Sequence, residues 1–412
     1  MQPRHLAALL STLVSQLLLL LLLIFPSTHN PNSLHLINSN PNPNPNSIFP
    51  LLHHFLFSHQ IAATLSLHRK RKRKRKRPHN EHSPLPPRTP DSFPNTFMMN
   101  SSTFEWLSGL LEPLLECRDP AELFPLNLSA GVRLGIGLFR LAAGSDYPEI
   151  STRFGVSVSV ARFCVKQLCR VLCTNFRFWV SFPSPNDLRS VSQNFETLSG
   201  FPNCCGVVLC SRFEVVNANT PCVAAQIVVD SSFRILSIVA GFLGHKSDAR
   251  ILKTSTLFKD IEEGTLLNSP PVNAVNQYLI ADSGYPLLPW LVVPFADPLP
   301  GSVEENFNAV HEAMRVPALR TAASLRNWGV LSKPVDEELK MVVAYIGACS
   351  ILHNSLLMRE DFSALASDFE DCRQSYNNSE NCNLEDHPVD SKALALRSTL
   401  ATMAKKIHNS NS

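Results

Sequence analysis

An α/β domain of the α+β type, preceded by an all-α module, is what the 412-residue sequence predicts. Three observations carry the expectation. Apolar residues recur at helical spacing from Thr103 to about residue 200; the period then shortens into β-branched runs; and the first hundred residues carry an Asn-Pro tract and a run of nine basic residues, neither of which can form a packed core. The length allows two or three domains. With 44% hydrophobic and 17% charged residues, wholly disordered, collagenous and polytopic membrane classes are excluded. The formal charge of +3 misleads, because nine of the 37 basic residues form one run; the rest number 28 against 34 acidic residues. The body is mildly acidic, so affinity for nucleic acid must come from local patches.

Residues 1–100 read as a targeting and disordered region. Leu6 to Phe25 is twenty residues long and mostly apolar, about 30 Å as a helix, with Arg4 before it. It predicts a signal peptide or membrane anchor, although Ser11, Thr12, Ser15 and Gln16 dilute it and no small-residue cleavage site follows. Next come an Asn-Pro tract and the run Arg69, Lys70, Arg71, Lys72, Arg73, Lys74, Arg75, Lys76 and Arg77. Nine like charges cannot pack; the run reads as a nuclear-import signal or nucleic-acid tether, or as a solubilising stretch. The nuclear and membrane addresses conflict, and nuclear is the expectation adopted. The eleven cysteines have no CxxC pair and no metal spacing, which predicts reduced thiols in an intracellular compartment.

Residues 101–200 are expected to be helical. Phe104, Leu107, Leu110, Leu111, Leu114 and Leu115 mark one helix; Ser129 caps another, running through Leu134, Leu138 and Leu141 to Gly144. A short helix at Ile150 to Phe154, a Gly155 turn and a helix from Ser157 give helix-turn-helix grammar. On the last helix Val158, Ala161, Val165, Leu168 and Leu172 form the apolar stripe, with Arg162, Lys166 and Arg170 at i, i+4 and i+8 on another face. Ser157, Ser159, Arg162, Lys166 and Arg170 are therefore candidate DNA-facing residues; a core helix with a solvated basic face is the other reading.

Residues 201–358 are expected to form the second domain. Gly206–Val216, Val223–Val229 and Phe233–Val239 read as strands. A helical segment from Ser247, a strand at Tyr278–Ile280 and helices near Asn306–Trp328 and Glu337–His353 follow. That is the element order of the ribonuclease H-like nuclease fold.

Four blocks then become specific: GFLGHKSDARILKTSTLF, YLIADSGYPLLPWLVVPF, ENFNAVHEAMR, and ILHN at Ile351 to Asn354. Over about 150 residues they resemble the transposase domain of the PIF/Harbinger (DDE) superfamily. Its domesticated copies include transposase-derived nucleases and plant relatives of "antagonist of like heterochromatin protein". The resemblance implies metal-assisted phosphodiester cleavage by two Mg²⁺ or Mn²⁺ ions held by three acidic residues. It also implies DNA or chromatin as partner, together with a Myb-like DNA-binding protein, and no small-molecule substrate.

Matched position by position, the pattern is incomplete. The first acid, on the first strand, falls at Leu209; the second is Asp282; the third, four residues after Arg315, falls at Leu319. Asp248 matches a further acidic position, so Asp282 and Asp248 are the candidate catalytic and metal-binding residues, as vestiges. Replacement acids are poor: Glu214 is five residues from Leu209, on the other strand face, Asp230 sits at a hairpin turn, and Glu312 is two helical turns from Leu319. The expectation is a lapsed nuclease kept as a nuclear DNA- or chromatin-associated interaction module. A metal-dependent endonuclease using Asp248, Asp282 and a substitute acid stays open, as does a protein anchored by Leu6–Phe25. Residues 359–412 read as an acidic flexible tail with a short helix from Ser391 to Ile407.

Overall fold

The computed structural model describes residues 84–116, 119–123, 126–174, 176–216, 221–268, 271–272, 275–366 and 390–411. These lie in the unit Asn80–Ser412, and the apolar segment 6–25 and the basic run 69–77 fall outside the described residues.

Helices come first, with their ends written in the sequence. The core begins before residue 101, against the expectation of a disordered 1–100 stretch: α1 (Phe93–Phe97) buries Phe93 and Phe97, which with Met99 join the core, and α2 (Ser101–Leu115) buries Phe104, Leu107, Leu111 and Leu115. In α3 (Ala130–Ala143) the Ser129 hydroxyl accepts from the Val132 N–H, and the helix stops at Gly144 in the left-handed region. Asp146 caps α4 (Tyr147–Phe154) by accepting from the Glu149 N–H, and Gly155 ends it the same way. The following α5 (Val158–Thr174) buries Ala161, Val165, Leu168 and Leu172, while Val158 stays 41% exposed at its first turn. The short α6 (Phe176–Trp179) and Ser184-capped α7 (Pro185–Ser199) lead into the sheet.

The sheet has five strands in the order β3-β2-β1-β4-β5. Its antiparallel half is β1 (Cys204–Glu214), β2 (Cys222–Val229) and β3 (Ile235–Leu243); β4 (Tyr278–Ile280) and β5 (Leu291–Val292) add in parallel beyond β1. β1 and β2 are buried along nearly their whole length, as continuous apolar runs covered on both faces require. β3, at the edge, begins two residues later than expected and runs four further. Asp230 closes the turn by accepting from Ser232 and Arg234 N–H, which holds Phe233 at φ 67° outside the strand. The strand then continues through a bulge at Gly241, where the β-branched run had ended.

Two short helices, α8 (Asp248–Thr254) and α9 (Thr256–Glu262), follow β3. The long α10 (Val303–Asn327) packs on β1 and β2; Pro317 breaks its hydrogen-bond ladder midway. The core helix α11 (Leu339–Met358) packs on both α5 and β3, so helices and sheet share one hydrophobic core. Among the described residues it alone is long and apolar enough to cross a membrane, and it is buried in protein. Its ILHN end has a structural job. Asn354 accepts from the Ile235 N–H at 2.9 Å and donates to the Ile235 and Trp179 carbonyls, both at 2.8 Å. One side chain thus fastens the edge strand, α11 and the end of α6 together. The last helix, α12 (Ser391–Asn411), is longer than the short helix expected, and it is no free appendage. Ala393, Leu400, Ala401 and Ala404 are buried, and the helix packs on α10 and β5.

The loop after α10 meets the end of α3 backbone to backbone. Gly329 and Val330 N–H groups donate to Ala142 and Leu141 carbonyls at 2.9 and 3.1 Å, satisfying acceptors that a helix end leaves open. A Cβ on Gly144 would fall 2.4 Å from the Gly329 oxygen, whereas one on Gly155 would meet nothing within 4 Å. Both glycines have positive φ. Gly155→Ala should therefore cost only the left-handed conformation, about 1 kcal/mol, and Gly144→Ala about 3 kcal/mol or more. Urea unfolding midpoints of the two variants check this, and equal losses would refute the close contact.

Candidate functional site

At the end of β4 the chain turns sharply. The Asp282 Oδ1 atom accepts from the Gly284 N–H at 3.0 Å, the local bond that makes Asp a turn former. The same carboxylate faces α10: its Oδ2 lies 3.5 Å from Arg315 Nη2, and Arg315 Nη1 lies 3.0 Å from Glu312 Oε2. Asp248, in the first turn of α8, is reached from β1 by Arg212. That guanidinium contacts Asp248 Oδ1 at 2.5 Å and also donates to the Gly244 and Lys246 carbonyls. The two carboxylates then converge on Gly284, whose position for a Cβ is 3.2 Å from Asp282 Oδ1 and 3.8 Å from Asp248 Oδ2. The structure thus brings together the two acids singled out in the sequence, and adds Arg212, Glu312 and the Cys210 thiol, which the sequence reading did not assign to the site.

Cys210 and Arg212 share a face of β1, and both reach Asp248. Leu209, with side chains alternating along the strand, is on the opposite face. The parallel register that sets Val207 beside Ile280, carried two residues on, brings Leu209 level with Asp282. Leu209 and Leu319 are 3% and 2% exposed, so both are packed as hydrophobes. Burial pushes the Asp282 and Asp248 carboxyls up from the usual range, against the downward pull of Arg315 and Arg212 respectively. Burial likewise holds the Cys210 thiol well above its ordinary value, with Asp248 adding to the effect.

Three other acids fall where the sequence placed them. Glu214 is exposed at the end of β1, and Asp230 serves the β2–β3 turn. Glu312 stands beside Arg315 rather than beside Leu319.

Residues 215–354 match the DDE superfamily endonuclease family. This chain is a relative of the Harbinger-derived DDE nucleases. It is 27% identical to the ALP1-like protein of Arabidopsis thaliana over 301 residues, covering 66% of this chain and 72% of that one. It is 26% identical over 306 residues to the Arabidopsis thaliana protein named Antagonist of Like Heterochromatin Protein 1, covering 68% and 76%. No solved structure matches the chain.

DDE endonucleases use divalent cations, and the residues of this DDE domain do not fit them. Hard cations need several oxygen ligands. Here β1 offers only the Cys210 thiol, α10 offers Leu319 and a Glu312 bonded to Arg315, and one oxygen of each remaining aspartate is engaged by a guanidinium. Among the described residues no group of three or more His, Cys, Asp or Glu side chains could hold a metal.

The basic residues of α5 form a separate feature. Arg162, Lys166 and Arg170 are exposed along one ridge, with the Arg162 guanidinium 4.5 Å above the Tyr147 ring. Ser157 and Ser159 are exposed too; the Ser157 hydroxyl accepts from the Val160 N–H, starting the helix, and bonds the Ser159 hydroxyl at 3.2 Å.

Beneath Arg315 on α10, His311 is 1% exposed, and on α11 His353 is 2% exposed. Burial lowers them to about 3 and about 4 from 6.5. Folded-state values below the unfolded one mean stability that is present above pH 6.5 and lost as pH falls. Each histidine should remove about 2 kcal/mol between pH 6.5 and about 5. Asp248 and Asp282 titrate in the opposite sense, so the comparison is between wild type and His311→Leu. Urea midpoints over this range should fall less steeply in the variant, and parallel pH profiles would contradict the assignment.

Proposed function

We propose that the chain is a domesticated transposase-derived protein with a ribonuclease H-like core, whose nuclease has lapsed. On this reading it works in the nucleus as a DNA- or chromatin-associated interaction module. One observation carries the lapse: the β1 side chain turned towards Asp248 is the Cys210 thiol, with Leu209 packed on the other face, Leu319 stands on α10, and the two aspartates left are paired with arginines. Two-metal phosphoryl chemistry needs ions that clamp both attacking and leaving oxygens, and this centre has no ligand set for them.

The nucleic-acid side of the reading rests on α5. Its ridge of Arg162, Lys166 and Arg170 presents three charges at one-turn spacing, in a helix that follows α4 after a Gly155 turn. With Ser157 and Ser159 at its start, this arrangement suits a helix-turn-helix laid on a phosphate backbone. The basic run from Arg69 to Arg77 supports nuclear import, and a relative named for antagonism of a heterochromatin protein supports a chromatin setting. A Myb-like DNA-binding partner is the further expectation that the family resemblance brings.

Two measurements test these claims. Full-length protein should not nick supercoiled plasmid in Mg²⁺ or Mn²⁺; nicking that disappears in Asp282→Ala would put a metal-dependent endonuclease, with Glu312 as substitute acid, in first place. In a chain whose residues 69–77 are replaced by neutral residues, the combined change Arg162→Ala, Lys166→Ala and Arg170→Ala should weaken duplex binding. The slope of log affinity against log salt should become shallower by about 3. An unchanged slope would remove α5 from the interface.

A further inference from the structure

We propose that Arg212 and Arg315 stand as built-in countercations to Asp248 and Asp282, so that the centre of the DDE domain is a metal-excluding ion-pair clasp joining β1, α8, the turn after β4 and α10. The inference rests on the reading of the domain as a lapsed nuclease and adds what now holds the remaining acids.

Arg212 is held for this purpose. Its Nε donates to the Gly244 carbonyl at 2.9 Å, and its Nη2 meets the Lys246 carbonyl at 3.0 Å and Asp248 Oδ1 at 2.5 Å. All three acceptors lie in the five residues that enter α8, so the planar fork is fixed from one side and delivers its charge to one carboxylate. Arg315 plays the same part across the turn, with one arm towards Asp282 and the other towards Glu312. The remaining oxygens both lie by Gly284: Asp282 Oδ1 accepts its N–H, and Asp248 Oδ2 is 3.8 Å from where its Cβ would stand.

The chemistry favours guanidinium over a metal ion here. A divalent ion brings a tightly held hydration shell and needs oxygens to replace it. Cys210, Leu209 and Leu319 supply none. A guanidinium is weakly hydrated and suits partly buried carboxylates. Asp248 and Asp282 have 8% and 15% of their side-chain surface exposed, so each needs a fixed cation once metal is gone.

A buried pair has a testable asymmetry: removing one partner strands the other's charge, whereas removing both does not. Thermal melts of the full chain, wild type beside Arg212→Met, Asp248→Asn and the double variant, should show the double variant melting above the Arg212→Met single. Additive losses would overturn the clasp. The wild-type melting temperature should not move in millimolar Mg²⁺ or Mn²⁺; a rise that Asp248→Asn abolishes would also overturn it. If Arg212→Met does not fold, Arg212→Lys replaces it in the cycle, keeping the charge without the fork, and the wild-type titration needs no variant. Plasmid nicking that survives Asp282→Ala and comes without a metal-dependent melt would sink the lapsed nuclease and leave the clasp standing; nicking lost in Asp282→Ala would overturn both, and a metal-dependent melt without nicking would overturn the clasp alone.

Discussion

The position of β1 constrains everything around the candidate site. It lies at the centre of the sheet, buried on both faces between antiparallel β2 and parallel β4. A strand so placed admits an ionised side chain only where a cation or several hydrogen-bond donors meet it. Leucine at position 209 fills its volume and strands no charge. The acids that persist, Asp248 and Asp282, stand at the end of the sheet, where arginines from β1 and α10 reach them.

Fixed polar contacts decide how the helices attach to this sheet. Tyr147 donates to Glu337 at 2.9 Å and lies 3.3 Å from the Tyr345 hydroxyl, while Arg140 packs over both rings. The network joins α3, α4 and α11 across the same boundary where Gly144 meets Gly329. Asp361, just past the end of α11, adds another tie by accepting from the Asn100 N–H at 2.7 Å at the start of α2.

Much of this was legible in the residues. Ser129 caps its helix by side-chain chemistry that is local in sequence, and Gly144 and Gly155 stop theirs for equally local reasons, whereas the caps at Asp146 and Ser184 went unread and the helix expected from Ile150 starts at Tyr147. The convergence of Asp248 and Asp282 followed from matched motif blocks. What stayed hidden depended on contacts distant in sequence. Arg212 is 36 residues from Asp248 and Arg315 is 33 from Asp282. Cys210 went unread because Leu209 occupied the aligned position, although strand alternation turns Cys210 towards Asp248. β3 overran its expected end because a glycine inside a strand reads as a stop until its bulge is seen. The packing of α12 was hidden for another reason: an acidic stretch before it suggested that the whole tail stayed in solvent.

The double grip of α11 gives the α5 ridge a fixed address. That helix packs against α5 along one side and against β3 along another, and Asn354 pins its end to the strand. On the proposed reading, a duplex lying along Arg162, Lys166 and Arg170 would therefore stand at a distance from the sheet that α11 sets, as by a caliper whose jaws are locked.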